Sequence, residues 1–266
     1  MRSVDAGSRL PDRAALSLKK NIQPFVGRSL AAGTRGVDAV ASLAPWRYVR
    51  LPTFEIDGYE VAHFIHRYNA YCPPYRMTER TVELALADMF LRVLGTEDVA
   101  EVGAVTPYYW PGRIATVVDP TDAHERVTTH AGWNEWSHDS FAILSMSTFE
   151  HIGAGEYGLA PDGNETRAAI DKLLTVTRPF LVTFPAGYNA TLDAYVRSTL
   201  ADDPTVRVMA WHRGTRGNNW RQLAYANVTS AMETYGPAWA NTLIALYRGP
   251  ADLWARAASG EASRPA

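Results

Sequence analysis

The chain has 266 residues, enough for one sizeable α/β domain plus an extension and too few for two full cores. Hydrophobic residues at 47% and charged residues at 20% are globular proportions, which excludes a disordered chain. The formal net charge of -2 gives no reason to expect nucleic acid, and a single cysteine, Cys72, excludes an internal disulfide framework and a Cys-based zinc site.

The opening residues, MRSVDAGSRLPDRAALSLKK, lack the apolar core of a signal peptide. No apolar run approaches the roughly 20 residues that cross a bilayer. A cytoplasmic protein without a membrane partner is therefore expected. Residues 1–58 read as an N-terminal helical extension or cap, with Leu16, Ile22, Phe25 and Leu30 on one face and Pro45 and Pro52 near its end. Residues 59–68 are aromatic and place His63 and His66 three apart on an expected helix. After Pro73-Pro74, Thr78 is a candidate N-cap with Glu79 in the first turn. Val82, Leu84, Ala85, Met89, Phe90 and Leu91 keep helical spacing until Gly95.

Beyond Gly95 the rhythm changes to short apolar strands alternating with helices. VAEV at 99–102, ATVV at 115–118, FAIL at 141–144 and FLVTF at 180–184 are expected strands, and 167–174 is an expected helix. Residues 206–209 and 241–246 read as a late antiparallel pair at the sheet edge. This alternation predicts an α/β, Rossmann-like, doubly wound and mostly parallel sheet over 59–250, with ligands at the carboxyl ends of its strands. Residues 251–266, ending GEASRPA, read as a flexible tail.

Two features at those strand ends suggest a nucleoside-bearing ligand. Gly103 follows the first strand, where a glycine lets the backbone turn beside a ligand, and Asp119 closes the second, where a carboxylate accepts ribose hydroxyl protons. A plain strand-to-helix turn explains the pair equally well. NAD is excluded, because the turn runs Gly103-Ala-Val-Thr-Pro-Tyr108 without the later glycines of G-x-G-x-x-G.

The ordered set EVGAVTPYYWPG, VVDP, FAILSMSTFEHIG and FPAGYN, preceded by Tyr68-Asn69 and by Glu79-Arg80-Thr-Val-Glu83, resembles bacterial class I S-adenosylmethionine (SAM) methyltransferase-like proteins of sugar and secondary metabolism. The resemblance spans roughly residues 59–248. It implies the class I methyltransferase fold and SAM as methyl donor or sole substrate. It also implies that Glu101, Gly103 and Ala104 meet the methionine end, Asp119 the ribose, and His130-Ala131 the adenine, with Ser145 to Thr148 beside the sulfonium. The chain departs from the common pattern at Val105, Phe141 and Arg178-Pro179-Phe180.

The expected reaction is methyl transfer to a small metabolite. The alternative is intramolecular attack of the SAM amine, as in the azetidine-2-carboxylate synthases that this chain is similar to, with methylthioadenosine released. A non-catalytic relative is the third reading. Tyr108 is assigned to the cofactor, and Tyr109, Asn69, Ser147 and His151 to catalysis, with His151 as the candidate base. One of Tyr108 and Tyr109 is expected to cover the cofactor and the other to pack inward. The alternative for Glu150-His151 is a helix N-terminal pair that braces the loop, and Tyr188-Asn189 either bond an acceptor or form a turn. His63 and His66 lack a third ligand, so no metal is expected. Cys72 reads as packing, and oligomeric state is open.

Overall fold

The first ordered element arises from Asp57-Gly58, a dipeptide that accepts positive φ at both positions (53° and 81°) and so forms the tight turn a two-residue hairpin needs. It joins β1 (Thr53–Ile56) to β2 (Tyr59–Ala62), with Phe54 opposite Val61. The computed structural model describes residues 53–64, 78–138, 140–156, 160–200, 203–214, 220–224 and 242–260. The chain divides into two units, Met1–Arg50 and Leu51–Ala266. The first unit, and with it the expected helical cap, lies outside the described residues, as do His66, Asn69 and Cys72.

The hairpin corrects the helix expected around His63. His63 follows β2 and is buried, its Nδ1 3.1 Å from Thr81 Oγ1 and its ring against Phe54. Helix α1 (Glu79–Leu94) is buried along most of its length and ends at Gly95, whose N–H donates to Leu91 O. Strand β3 (Val99–Val102) then leads into the single turn α2 (Thr106–Tyr109), followed by β4 (Thr116–Val118) and β5 (Ala142–Met146). Next come α3 (Gly163–Thr175), β6 (Phe180–Pro185) and α4 (Ala190–Tyr195), and then β7 (Arg207–Arg213), β8 (Trp220–Leu223), β9 (Thr242–Arg248) and α5 (Leu253–Ser259).

The seven-stranded sheet has the order β4-β3-β5-β6-β9-β7-β8. The pairs β4/β3, β3/β5 and β5/β6 are parallel, whereas β9 is antiparallel to both β6 and β7. The sheet is therefore parallel in its first half only. The expected late pair is interior, because β9 inserts between β6 and β7 and leaves β8 at the edge. The result is a mixed α/β sheet with helices packed on both faces.

Successive strand residues point to opposite faces, which divides the core. Leu144, Met146, Leu181 and Ala245 pack with α1 and α5, and Ile143, Val182, Phe184 and Ile244 pack with α3 and α4. Each of these buried side chains larger than Ala245 contributes about 1.5–3 kcal/mol. Residues 253–259 are helical rather than a frayed tail, because Leu253 and Trp254 are buried against α1 and Tyr247. Among the described residues no helix is long and apolar enough to cross a membrane.

The chain leaves the end of β3 toward β4 on one side and leaves the end of the adjacent β5 toward β6 on the other. The two connections diverge and open a crevice at the carboxyl ends of β3, β4 and β5.

Candidate functional site

That crevice holds a cavity of about 480 Å³. Its walls are the Val102–Val105 turn, Asp119 to Thr121 after β4, the loop 131–135, Ser147 and Thr148 after β5, and the segment from His151 to Glu156.

Gly103 is required by the turn. Its φ is +86°, and a Cβ at this position would overlap the Thr148 hydroxyl. Its N–H donates to Val118 O at 2.8 Å, fixing the turn against β4. Asp119 supports the same turn from the next strand end: Oδ2 accepts from Ala104 N at 3.1 Å, and Oδ1 accepts from Thr121 N and Asp122 N. A carboxylate offers about four lone-pair directions, so Oδ2 keeps acceptor capacity toward the cavity wall it forms.

Glu101 has a different role from the ligand contact expected of it. It is wholly buried and absent from the cavity wall. Oε1 accepts from Thr106 N at 2.7 Å and Val105 N at 3.2 Å, and Oε2 accepts from the Thr106 hydroxyl. It caps the backbone of α2 and thereby holds the Gly103 turn from below. Burial pushes its carboxyl up to about 7, against the opposing effect of the Thr106 bonds.

This shift makes a stability prediction. The folded-state value lies above that of the unfolded chain, so folding favours the protonated form, and stability falls as pH rises from about 4.5 through about 7. In urea titrations, Glu101→Gln should remove that part of the pH dependence. The wild-type loss over this window, relative to the variant, should be on the order of 2–3 kcal/mol. Parallel curves for the two proteins would contradict the burial of an ionisable group here.

Four other expected contacts are also elsewhere. Ser145 is buried within the sheet, its hydroxyl donating to Val102 O at 2.8 Å as a cross-strand brace. Tyr108 is exposed, donates to Asp122 and packs on His124. Tyr109 packs inward on the core beneath α1. Neither ring borders the cavity, because the one-turn helix α2 carries both away from the ligand side. His130 is exposed and off the wall, while its neighbour Ala131 is on it. Gly103, Ala104, Ala131, Asp119, Ser147 and His151 all line the cavity.

Beyond β5 the site becomes acidic. His151 Nδ1 is 2.7 Å from Glu156 Oε2, its Nε2 is 3.8 Å from Glu150 Oε1, and its ring meets Tyr188 edge-on. Tyr188 donates its hydroxyl to Glu156. Asn189 is fully engaged: Oδ1 caps α4 through Thr191 N and Leu192 N, and Nδ2 donates to Glu150 O and Ile152 O. It is therefore the turn-forming alternative that holds. Beneath this wall lie Glu79, Arg80 and Glu83 of α1, with Glu150. Arg80 Nη1 is 3.1 Å from Glu83 Oε2. Burial pushes the Glu150 carboxyl well above its ordinary range, and burial with Glu83 nearby raises Glu79.

Glu83 and Glu156 are the site residues that sequence reasoning missed as such. Glu83 was visible only as part of Glu79-Arg80-Thr-Val-Glu83, and Glu156 sits in a loop without periodicity. The loop 131–135 was foreseen as a wall only at Ala131. It is tied down by Lys172 Nζ, which donates to Trp133 O, Asn134 O and Trp136 O, and by Trp133 Nε1, which donates to Ala169 O at 2.9 Å.

No family model matches the chain, and no curated protein matches it. Among solved structures it is similar to one described as a DhpI-SAM-HEP complex, with 17% identity over 68% of this chain and 91% of that chain, at a TM-score of 0.32.

Proposed function

We propose that this chain binds S-adenosylmethionine and transfers its methyl group to a small-molecule acceptor. The observation that carries this reading is the position of Gly103 and Asp119 on one cavity at the switch point of a mixed α/β sheet. The residues present suit the group. The Gly103 turn brings bare backbone to the wall, Asp119 offers a carboxylate to ribose hydroxyls, and about 480 Å³ is within the range of nucleoside-sized pockets. Bound there, the cofactor supplies an electrophilic methyl on a positively charged sulfur.

The protein's own part is to orient the acceptor and take up its proton. His151 lines the cavity, and Glu156 fixes its ring through Nδ1. A carboxylate accepting from Nδ1–H makes Nε2 the basic nitrogen, the arrangement that proton abstraction from an acceptor hydroxyl or amine needs. The self-cyclising alternative drew on the rings of Tyr108 and Tyr109, and those rings stand away from the cavity.

S-adenosylhomocysteine at a hundredfold excess over its Kd should stabilise the protein by about 2.7 kcal/mol, read as a rise in Tm. An unchanged Tm at millimolar concentration would sink the cofactor assignment. Incubation with S-adenosylmethionine alone tests the reaction: almost no product is expected without an acceptor, and methylthioadenosine above the non-enzymatic background would establish self-cyclisation instead.

A further inference from the structure

Among the described non-glycine residues, only Asp57 in the hairpin turn and Ser147 have positive φ. Ser147 stands on the cavity wall at the end of β5 with φ +46°, a conformation that serine adopts only when its surroundings impose it. Two bonds impose it here. Its N–H donates to Thr183 O at 2.8 Å, and its hydroxyl donates to Glu83 Oε1 at 2.8 Å. Glu83 is wholly buried, accepts from Thr183 Oγ1 on the same oxygen, and faces Arg80 with the other. Residues 83, 147 and 183 therefore meet at one carboxylate from three separate elements.

The direction of that bond decides what Ser147 offers a ligand. A hydroxyl has one proton, and this one is committed inward, so only lone pairs remain for the cavity. Donation to a carboxylate raises the negative charge on the serine oxygen. Behind it Glu83 faces Arg80, while burial pushes the neighbouring Glu150 and Glu79 carboxyls toward their neutral forms, so the pull on a cation at the wall comes from the serine lone pairs that Glu83 polarises.

We propose that Ser147, backed by Glu83, docks an ammonium group. The proposal rests on the cofactor reading above for its context and deepens it. The nitrogen can come from the α-amino group of the S-adenosyl compound or from an amine on the acceptor. A neutral carbonyl or a carboxylate is disfavoured, since neither brings a proton to an oxygen that can only accept.

Calorimetric titration of the full chain tests this in two arms. The first compares S-adenosylhomocysteine with its deamino analogue, in which hydrogen replaces the α-amino group. The second compares phenethylamine with neutral 2-phenylethanol, with and without S-adenosylhomocysteine present. Each is repeated on Ser147→Gly, which keeps the positive φ without strain, and on Glu83→Gln. Wild type should prefer the amine in one arm by roughly tenfold, the size of one hydrogen bond to a charged group, and both variants should lose that preference. The arm that shows it identifies the source of the nitrogen. An amine preference that survives in Ser147→Gly, or no preference in either arm, overturns the proposal. Failure of S-adenosylhomocysteine to bind wild type overturns the cofactor reading instead, and the second arm still decides for Ser147.

Discussion

Gly103→Ala is expected to abolish ligand binding at the cavity and to destabilise the protein by about 2–4 kcal/mol. Two effects add. An alanine at φ +86° is strained, and its methyl group would overlap the Thr148 hydroxyl, so either the turn or the start of the wall after β5 must move. Either shift breaks the bond from Gly103 N to Val118 O and misplaces the backbone that borders the cavity. Gly112→Ala separates strain from overlap: it has φ +78°, yet a Cβ there comes no nearer than 3.8 Å to Arg126 Nη1. That variant should lose about 1 kcal/mol and bind normally. Urea titration gives the stabilities, and calorimetry with S-adenosylhomocysteine gives the affinities. Equal behaviour of the two variants would show that the Gly103–Thr148 approach does not shape the site.

Asp119→Ala should weaken S-adenosylhomocysteine binding by about 1.5–3 kcal/mol, ten- to more than a hundredfold in Kd. The carboxylate acts twice, as the acceptor facing the cavity and as the clamp on Ala104, Thr121 and Asp122. Asp119→Asn keeps an acceptor oxygen but loses the charge, so it should fall between the two. Glu97→Ala, at an exposed carboxylate before β3, should leave affinity unchanged. Matching losses from Asp119→Ala and Glu97→Ala would mean that the end of β4 is not a ligand contact.

The hairpin at 53–62 was legible in principle, since Asp-Gly between apolar residues is a strong turn signal. The aromatic, His-bearing run after it reads as a helix and masks that signal. Of the late strands, β7 and β9 were legible as strands and β8 was not, and their order was not legible either. Apolar content marks β9 as buried, and only packing against both β6 and β7 places it between them.

Within the site the division follows the range of the interactions. The Gly103 turn, Asp119 at a strand end, and the polar run Ser147-Thr148-Phe149-Glu150-His151 are local features, set by backbone conformation and the end of an apolar run, and they were readable from the sequence. The burial of Glu101 beneath the turn was not, because a carboxylate next to a glycine turn is written identically whether it faces a ligand or caps the helix below. Nor was the way Tyr108 and Tyr109 turn from the cavity, which depends on α2 being a single helical turn. The junction of Glu83, Ser147 and Thr183 joins positions 64 and 100 residues apart. Such pairings leave no periodic trace in the chain, since they arise only when α1 packs across the ends of β5 and β6. The sequence determined where the chain turns and which strand ends carry polar groups. The tertiary structure decided which of those groups face the cavity and which hold it in shape.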